Sequence, residues 1–187
     1  MNSQISNLTD LLPFAKMHFD GVQDRLECFI YSQVQVEGWL KGELLFLLTL
    51  LRNNGIIKEF DREIRIGRRR IDLSIDLGNS SNYIETKHWL IGEQKGYSYG
   101  PSFYFGDPTS VGITKDVDKL LEIQEPSNRW MLLLLTANPG SRDWFAGIDK
   151  FNEKFHPRQI VSRSNPEDFP DTYFIGLLEV SKSTENM

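Results

Sequence analysis

A chain of 187 residues with 40% hydrophobic and 25% charged side chains carries enough apolar material for one self-sufficient core. Its one cysteine, Cys28, excludes an intrachain disulfide framework and fits a reducing, cytoplasmic compartment, where a lone thiol is ordinarily a small core residue. A formal net charge of −5 argues against a general nucleic-acid coat protein, yet leaves room for an enzyme with a local basic cluster.

The chain opens without a basic segment followed by a long apolar run, so no signal peptide is expected. The apolar run LLFLLTLL is too short to span a bilayer, so no membrane partner is expected either. Residues 1–30 read as an N-terminal extension of a single domain, holding a short helix near Leu11–Phe19. A longer helix follows over about 32–53. Trp39, Leu40, Leu44, Leu47, Leu48 and Leu51 recur there at helical spacing, and Asn53-Asn54-Gly55 stops it.

Strand-like runs come next at about 56–66, 70–77 and 82–88. In the second, Ile71, Leu73, Ile75 and Leu77 alternate with Arg70, Asp72, Ser74 and Asp76, which predicts two distinct faces. Residues 92–112 are rich in glycine and aromatics and read as a long loop. A helix is predicted over 114–124 with Thr114 as its cap, then a buried strand over 130–137. A helix from Ser141 to Phe155 carries Trp144, Phe145, Ile148 and Phe151 inward, and a last strand covers 172–180. Short links make the first three strands antiparallel, and the last two, returning through helices, are expected parallel. The result is an α/β fold with a mixed sheet, an αβββαβ core and helices on both faces.

The second and third strands hold the chemistry. If residues 78–81 form a four-residue loop, Leu77 pairs with Asn82, Ser74 faces Glu85, and Asp72 faces Lys87. Asp72, Ser74, Glu85 and Lys87 then share one face, with Asp72 diagonal to Glu85 at roughly 7–8 Å between backbones. Two carboxylates and a backbone carbonyl suit a hard cation, Mg²⁺ or Mn²⁺. An ammonium beside such an ion can orient its water or offset charge in the transition state. Glu43 stands among Trp39, Leu40, Phe46 and Leu47 at helical spacing, so it must be paired, protonated or ligating. Glu37 is accounted for by an i,i+4 pair with Lys41.

A helical Glu, then Arg70-Ile71-Asp72, a hairpin, and Glu85-Thr86-Lys87 resembles the PD-(D/E)xK nuclease superfamily, over roughly residues 32–137. Ile71 stands where the motif's name has proline. The resemblance implies a restriction-endonuclease-like fold and a metal-dependent nuclease, more often acting on DNA than on RNA, working as a homodimer or a subunit of a larger complex. It implies that Asp72 and Glu85 ligate Mg²⁺ with the Thr86 carbonyl, that Lys87 positions or activates water, and that Glu43 completes the shell. It also places the helix bearing Lys115, Asp116 and Lys119 near the site or the backbone phosphates. Arg65, Arg68, Arg69 and Arg70 form a basic cluster able to contact phosphates. The alternative reading is a non-catalytic binding or interaction module on the same fold.

Rival motifs are weaker. GYSYG at 96–100 matches the G-x-S-x-G elbow of hydrolases, but no helical period follows it. No phosphate-cradling G-x-x-x-x-G-K-[ST] occurs. His18, His88 and His156 are too scattered for zinc, and His88 is expected to point away from Lys87.

Overall fold

A computed structural model describes residues 4–32, 34, 36–94, 97–99, 112–124, 127–137, 153, 159–162 and 173–181. After a 3₁₀ turn, Leu8–Leu11, the helices are α1 (Leu12–Gly21), α2 (Gln23–Tyr31), α3 (Glu37–Asn53) and α4 (Ile113–Leu121). The strands are β1 (Glu59–Ile66), β2 (Arg69–Asp76), β3 (Ser81–Gln94), β4 (Tyr97–Tyr99), β5 (Asn128–Ala137), β6 (Gln159–Ser162) and β7 (Tyr173–Glu179). The sheet runs β1-β2-β3-β5-β7-β6, with β4 folded back on the end of β3. It is mixed: β5 lies parallel to β3, and the other pairings are antiparallel.

β5 explains the layering. Every residue from Trp130 to Leu135 is buried. Trp130, Leu132 and Leu134 join one apolar cluster with α1 and α3, while Met131, Leu133 and Leu135 join a second with α4. A strand covered on both faces must be apolar throughout, which is how WMLLLLTA reads. The N-terminal segment enters the first cluster through Leu8, Leu12, Ala15, Phe19 and Leu26.

Several expectations change. The long helix begins at Glu37, and α2 occupies part of the expected extension. Gly112, not Thr114, caps α4. β7 is antiparallel to β5 rather than parallel. β3 runs on to Gln94 and pairs with β4, where a loop was expected. Cys28 is exposed rather than buried. The residues Trp144, Phe145, Ile148, Phe151 and Phe155 lie outside the described residues, as do His156, Phe103, Tyr104 and Phe105. Among the described residues no helix is long and apolar enough to cross a membrane.

One departure shapes the site. Leu73, Ile75 and Leu77 pack in the first cluster, but Ile71 packs in the second, with Ile64 and Ile66 against it. The clean alternation of β2 therefore breaks at Asp72. On β1, between the Arg62↔Leu73 and Ile64↔Ile71 pairs, Glu63 takes φ 53°, a left-handed conformation that a non-glycine residue seldom adopts within a strand. The ladder between β2 and β3 likewise ends at Leu73↔Ile84. The tip of the β1–β2 hairpin thus turns toward the α4 side of the sheet.

Candidate active site

The turn between β2 and β3 is tighter than a four-residue loop. Leu77 N–H donates to the Ser80 carbonyl at 3.0 Å, leaving Gly78 and Asn79 as the central residues. Gly78 has φ 89°, the positive value a two-residue hairpin turn needs at that position. The register becomes Ser74↔Tyr83 and Leu73↔Ile84, two residues from the expected one. An even shift keeps every side chain on its face. The ladder stops at Leu73↔Ile84, one residue short of Asp72, so the expected diagonal of Asp72 to Glu85 is not set by it.

There the Asp72 side chain takes over from the ladder. Its Oδ2 accepts hydrogen bonds from Thr86 N–H at 2.9 Å and Thr86 Oγ1 at 2.8 Å. Its Oδ1 lies 3.0 Å from Lys41 Nζ on α3. Lys41 also reaches Glu37 at 3.1 Å, and Glu37 stands 3.4 Å from Lys87 Nζ. Lys87 in turn meets Asp116 of α4 at 3.3 Å, and Lys119, one turn later, lies 2.6 Å from Glu85 Oε1. Four acids and three lysines from α3, β2, β3 and α4 thus gather with alternating sign.

The placement of α3 follows from His88. Its Nδ1 accepts the Val36 N–H at 3.2 Å, just ahead of the first helical turn, and its Nε2 lies 2.8 Å from Thr136 Oγ1. His88 points away from Lys87, as alternation requires, and pins the start of α3 to β3. Glu37 is thereby brought beside Lys87.

The electrostatics follow from burial and charge. Glu85 is 3% exposed, and burial raises its pKa to about 7 against the pull of Lys119, with the charges of Asp72 and Asp116 pushing the same way as burial. Burial opposes the charge on Lys87, but Asp116 and Glu37 outweigh it and hold the ammonium above its ordinary value. Asp72 is likewise penalised by burial, yet the Thr86 N–H and Lys41 draw its carboxyl below the usual range. For Asp116 burial wins over Lys87, and its pKa rises.

Glu43 is not part of this cluster. Its Oε2 lies 2.8 Å from His18 Nε2 and its Oε1 2.8 Å from Arg25 Nη1, on the side of α3 that faces α1 and α2. The demand for a partner was sound, but His18 and Arg25 of the helical layer meet it. Glu37 is the helical acid beside the hairpin, and its pairing with Lys41 concealed that role. Thr86 spends its N–H and hydroxyl on Asp72. Lys119, expected near phosphates, is paired with Glu85. Arg69 binds Glu122 through Nε at 2.6 Å, and Arg70 is bridged to Glu63. Arg68 and Lys115 are exposed and form no ion pair with a described residue. Ser98 sits in β4, paired with Glu93.

Among the described residues no three Asp, Glu, His or Cys side chains form a ready metal cage. The donors at hand nonetheless suit a hard cation. They are oxygens, and the buried Glu85 Oε1 has an ion-pair contact with Lys119 but no well-directed hydrogen bond. No protein-family model, curated protein or solved structure matches this chain.

Proposed function

We propose that this protein is a divalent-metal-dependent nuclease with a restriction-endonuclease-like core formed by α3, β1, β2, β3, α4 and β5. The observation that carries the reading is the gathering of Asp72, Glu85 and Lys87 with Glu37 and Asp116 where β2 leaves β3. Asp72, Glu85 and the Thr86 carbonyl would hold Mg²⁺ or Mn²⁺, with Glu37 in the place first given to Glu43. The bound ion supplies polarisation of a phosphoryl oxygen and a lowered pKa for its water.

Lys87 has a more defined part. Held between Asp116 and Glu37, its ammonium would act as a hydrogen-bond donor and positive charge. It would orient the attacking water and offset charge on the phosphoryl group. Asp116 and Glu37 hold it in place. Lys41 and Lys119 would release Asp72 and Glu85 as the ion enters, leaving two ammoniums near an anionic substrate. The preference for DNA and a homodimeric or multi-subunit state rest on the resemblance of the motif.

The competing reading is a non-catalytic binding module. It is favoured by Lys41 and Lys119, which already neutralise the two acids without any ion. Incubation of single- and double-stranded DNA and RNA with Mg²⁺ or Mn²⁺ decides between them. The nuclease reading requires cleavage by the wild type and its loss in Asp72→Asn and Lys87→Ala. Undiminished cleavage by both variants would overturn the site, and no cleavage of any substrate would favour the module.

A further inference from the structure

The β1–β2 hairpin carries an arrangement that neither core packing nor internal pairing explains. Arg65 and Arg70 are direct cross-strand partners. Like charges so placed repel, and such pairs are ordinarily avoided. Ile64, Ile66 and Ile71 pack against the second cluster, so Arg65 and Arg70 stand on the opposite face of the hairpin. Two residues inward along the same two strands come Asp72 and Glu63. Arg70 is bridged to Glu63, whereas Arg65 and the tip residue Arg68 form no ion pair with a described residue. From the site outward the hairpin therefore carries Asp72 and Glu63, then the Arg70–Arg65 pair, then Arg68 at the tip.

Two residues of strand span roughly 7 Å. The arginine pair thus begins about one backbone unit of a nucleic-acid strand away from Asp72. We propose that Arg65 and Arg70 form a subsite for a phosphodiester group flanking the one at Asp72, so the hairpin is a phosphate-binding arm beside the site. Glu63 neutralises one of the two guanidiniums in the free protein, and Arg65 supplies the uncompensated charge. This rests on the nuclease reading for the identity of the ligand, since a phosphodiester at Asp72 is what gives the arm its neighbour.

The test is binding by the full-length protein in EDTA, where cleavage is suppressed. Fluorescence anisotropy with labelled duplex DNA, single-stranded DNA and single-stranded RNA would compare the wild type with Arg65→Gln, Arg70→Gln and the double variant. Arg52→Gln, which removes a cation paired with Glu59 at the far end of α3, controls for net charge. The double variant should weaken binding of the preferred probe about tenfold. It should also flatten the salt dependence by about one or more in slope, since each lost phosphate contact removes roughly 0.9. Arg52→Gln should leave the slope unchanged. A merely destabilised hairpin would lower the melting temperature without altering that slope. Unchanged affinity and slope in the double variant, or no binding of any probe by the wild type, would overturn the arm. Cleavage is scored separately with metal present. No cleavage by a wild type that binds through the arm would overturn the nuclease reading alone, and normal cleavage with an unaltered slope would overturn the arm alone.

Discussion

Glu37 and Glu43 lie on one helix and end in opposite environments. Six positions at about 100° each rotate the second roughly 240° from the first, so they cannot serve one site. Glu43 faces α1 and α2, where His18 and Arg25 close around it. Glu37 faces β3 and α4, where it joins a chain of alternating charges that ends on Glu85. The first cluster is complete: one acid between a histidine and an arginine. The second is crowded with acids in a buried place, and burial raises two of them, Glu85 and Asp116. A fold that needed only stability had the first solution available on the same helix, and the second is the one to suspect of chemistry.

The sharpest way to break this comparison is activity. Lys87→Ala and Asp72→Asn should each lower cleavage by about 10²-fold or more, the usual scale for a positioned polar group in the transition state. Glu43→Gln should change the rate by less than about threefold. Equal losses in both clusters, measured as kcat/KM on one substrate, would erase the distinction.

Acidification should separate the clusters next. His88, the clamp on the site side, is buried and its pKa falls to about 4 because burial disfavours the imidazolium. That lies below the ordinary 6.5, so the stability it contributes is fully present above pH 6.5 and is lost as pH falls through 4. The loss reaches about 3 kcal/mol at the low end. Denaturant melts at pH 7, 5.5 and 4 should show the wild type falling more steeply than His88→Gln. Parallel curves for the two proteins would remove His88 from the account.

Stability of the closed cluster gives a smaller effect. Glu43→Ala should cost about 1–2 kcal/mol, less than for a fully buried pair because Arg25 is 62% exposed and can return to water. Glu37→Ala, on a side chain already 37% exposed, should cost under about 1 kcal/mol. Thermal melts of the two variants should therefore differ in the direction opposite to their activities.

The smallest contrast lies between two glycines. Gly78→Ala should destabilise by about 1 kcal/mol, because φ is 89° and an added Cβ would meet Gln4 Nε2 at 3.1 Å. Gly42→Ala, in the interior of α3 with open space around it, should stabilise by about 0.5–1 kcal/mol. Equal signs in chemical denaturation would show that the hairpin turn is not constrained as described.

How much of the site was legible varies residue by residue. The shared face of Glu85 and Lys87 follows from a period of two and needs no tertiary information. Asp72 reaches them through its bonds to Thr86 and Lys41, not through the face that alternation gave it, because the ladder ends one residue earlier at Leu73↔Ile84. Glu37 was hidden by its own i,i+4 neighbour: the Lys41 contact is present, but local spacing cannot show that Lys87 lies on the other side. The change of face at Ile71 was equally invisible, since nothing in RIDLSIDL announces that the ladder ends at Asp72.

The sequence by itself determined the α/β class, the buried central strand, the antiparallel hairpins and the pairing of residue types that could bind a hard cation. Those properties reside in periodicity and composition, which are local. The tertiary structure decided which helical acid reaches the hairpin, the antiparallel placement of β7, and the lysines that hold Asp72 and Glu85. These depend on the angle at which α3 leaves Val36 and on where β2 parts from β3. Both are set by contacts that local periodicity does not specify: His88 with Val36, 52 residues apart, and Thr86 with Asp72, 14 apart across the hairpin.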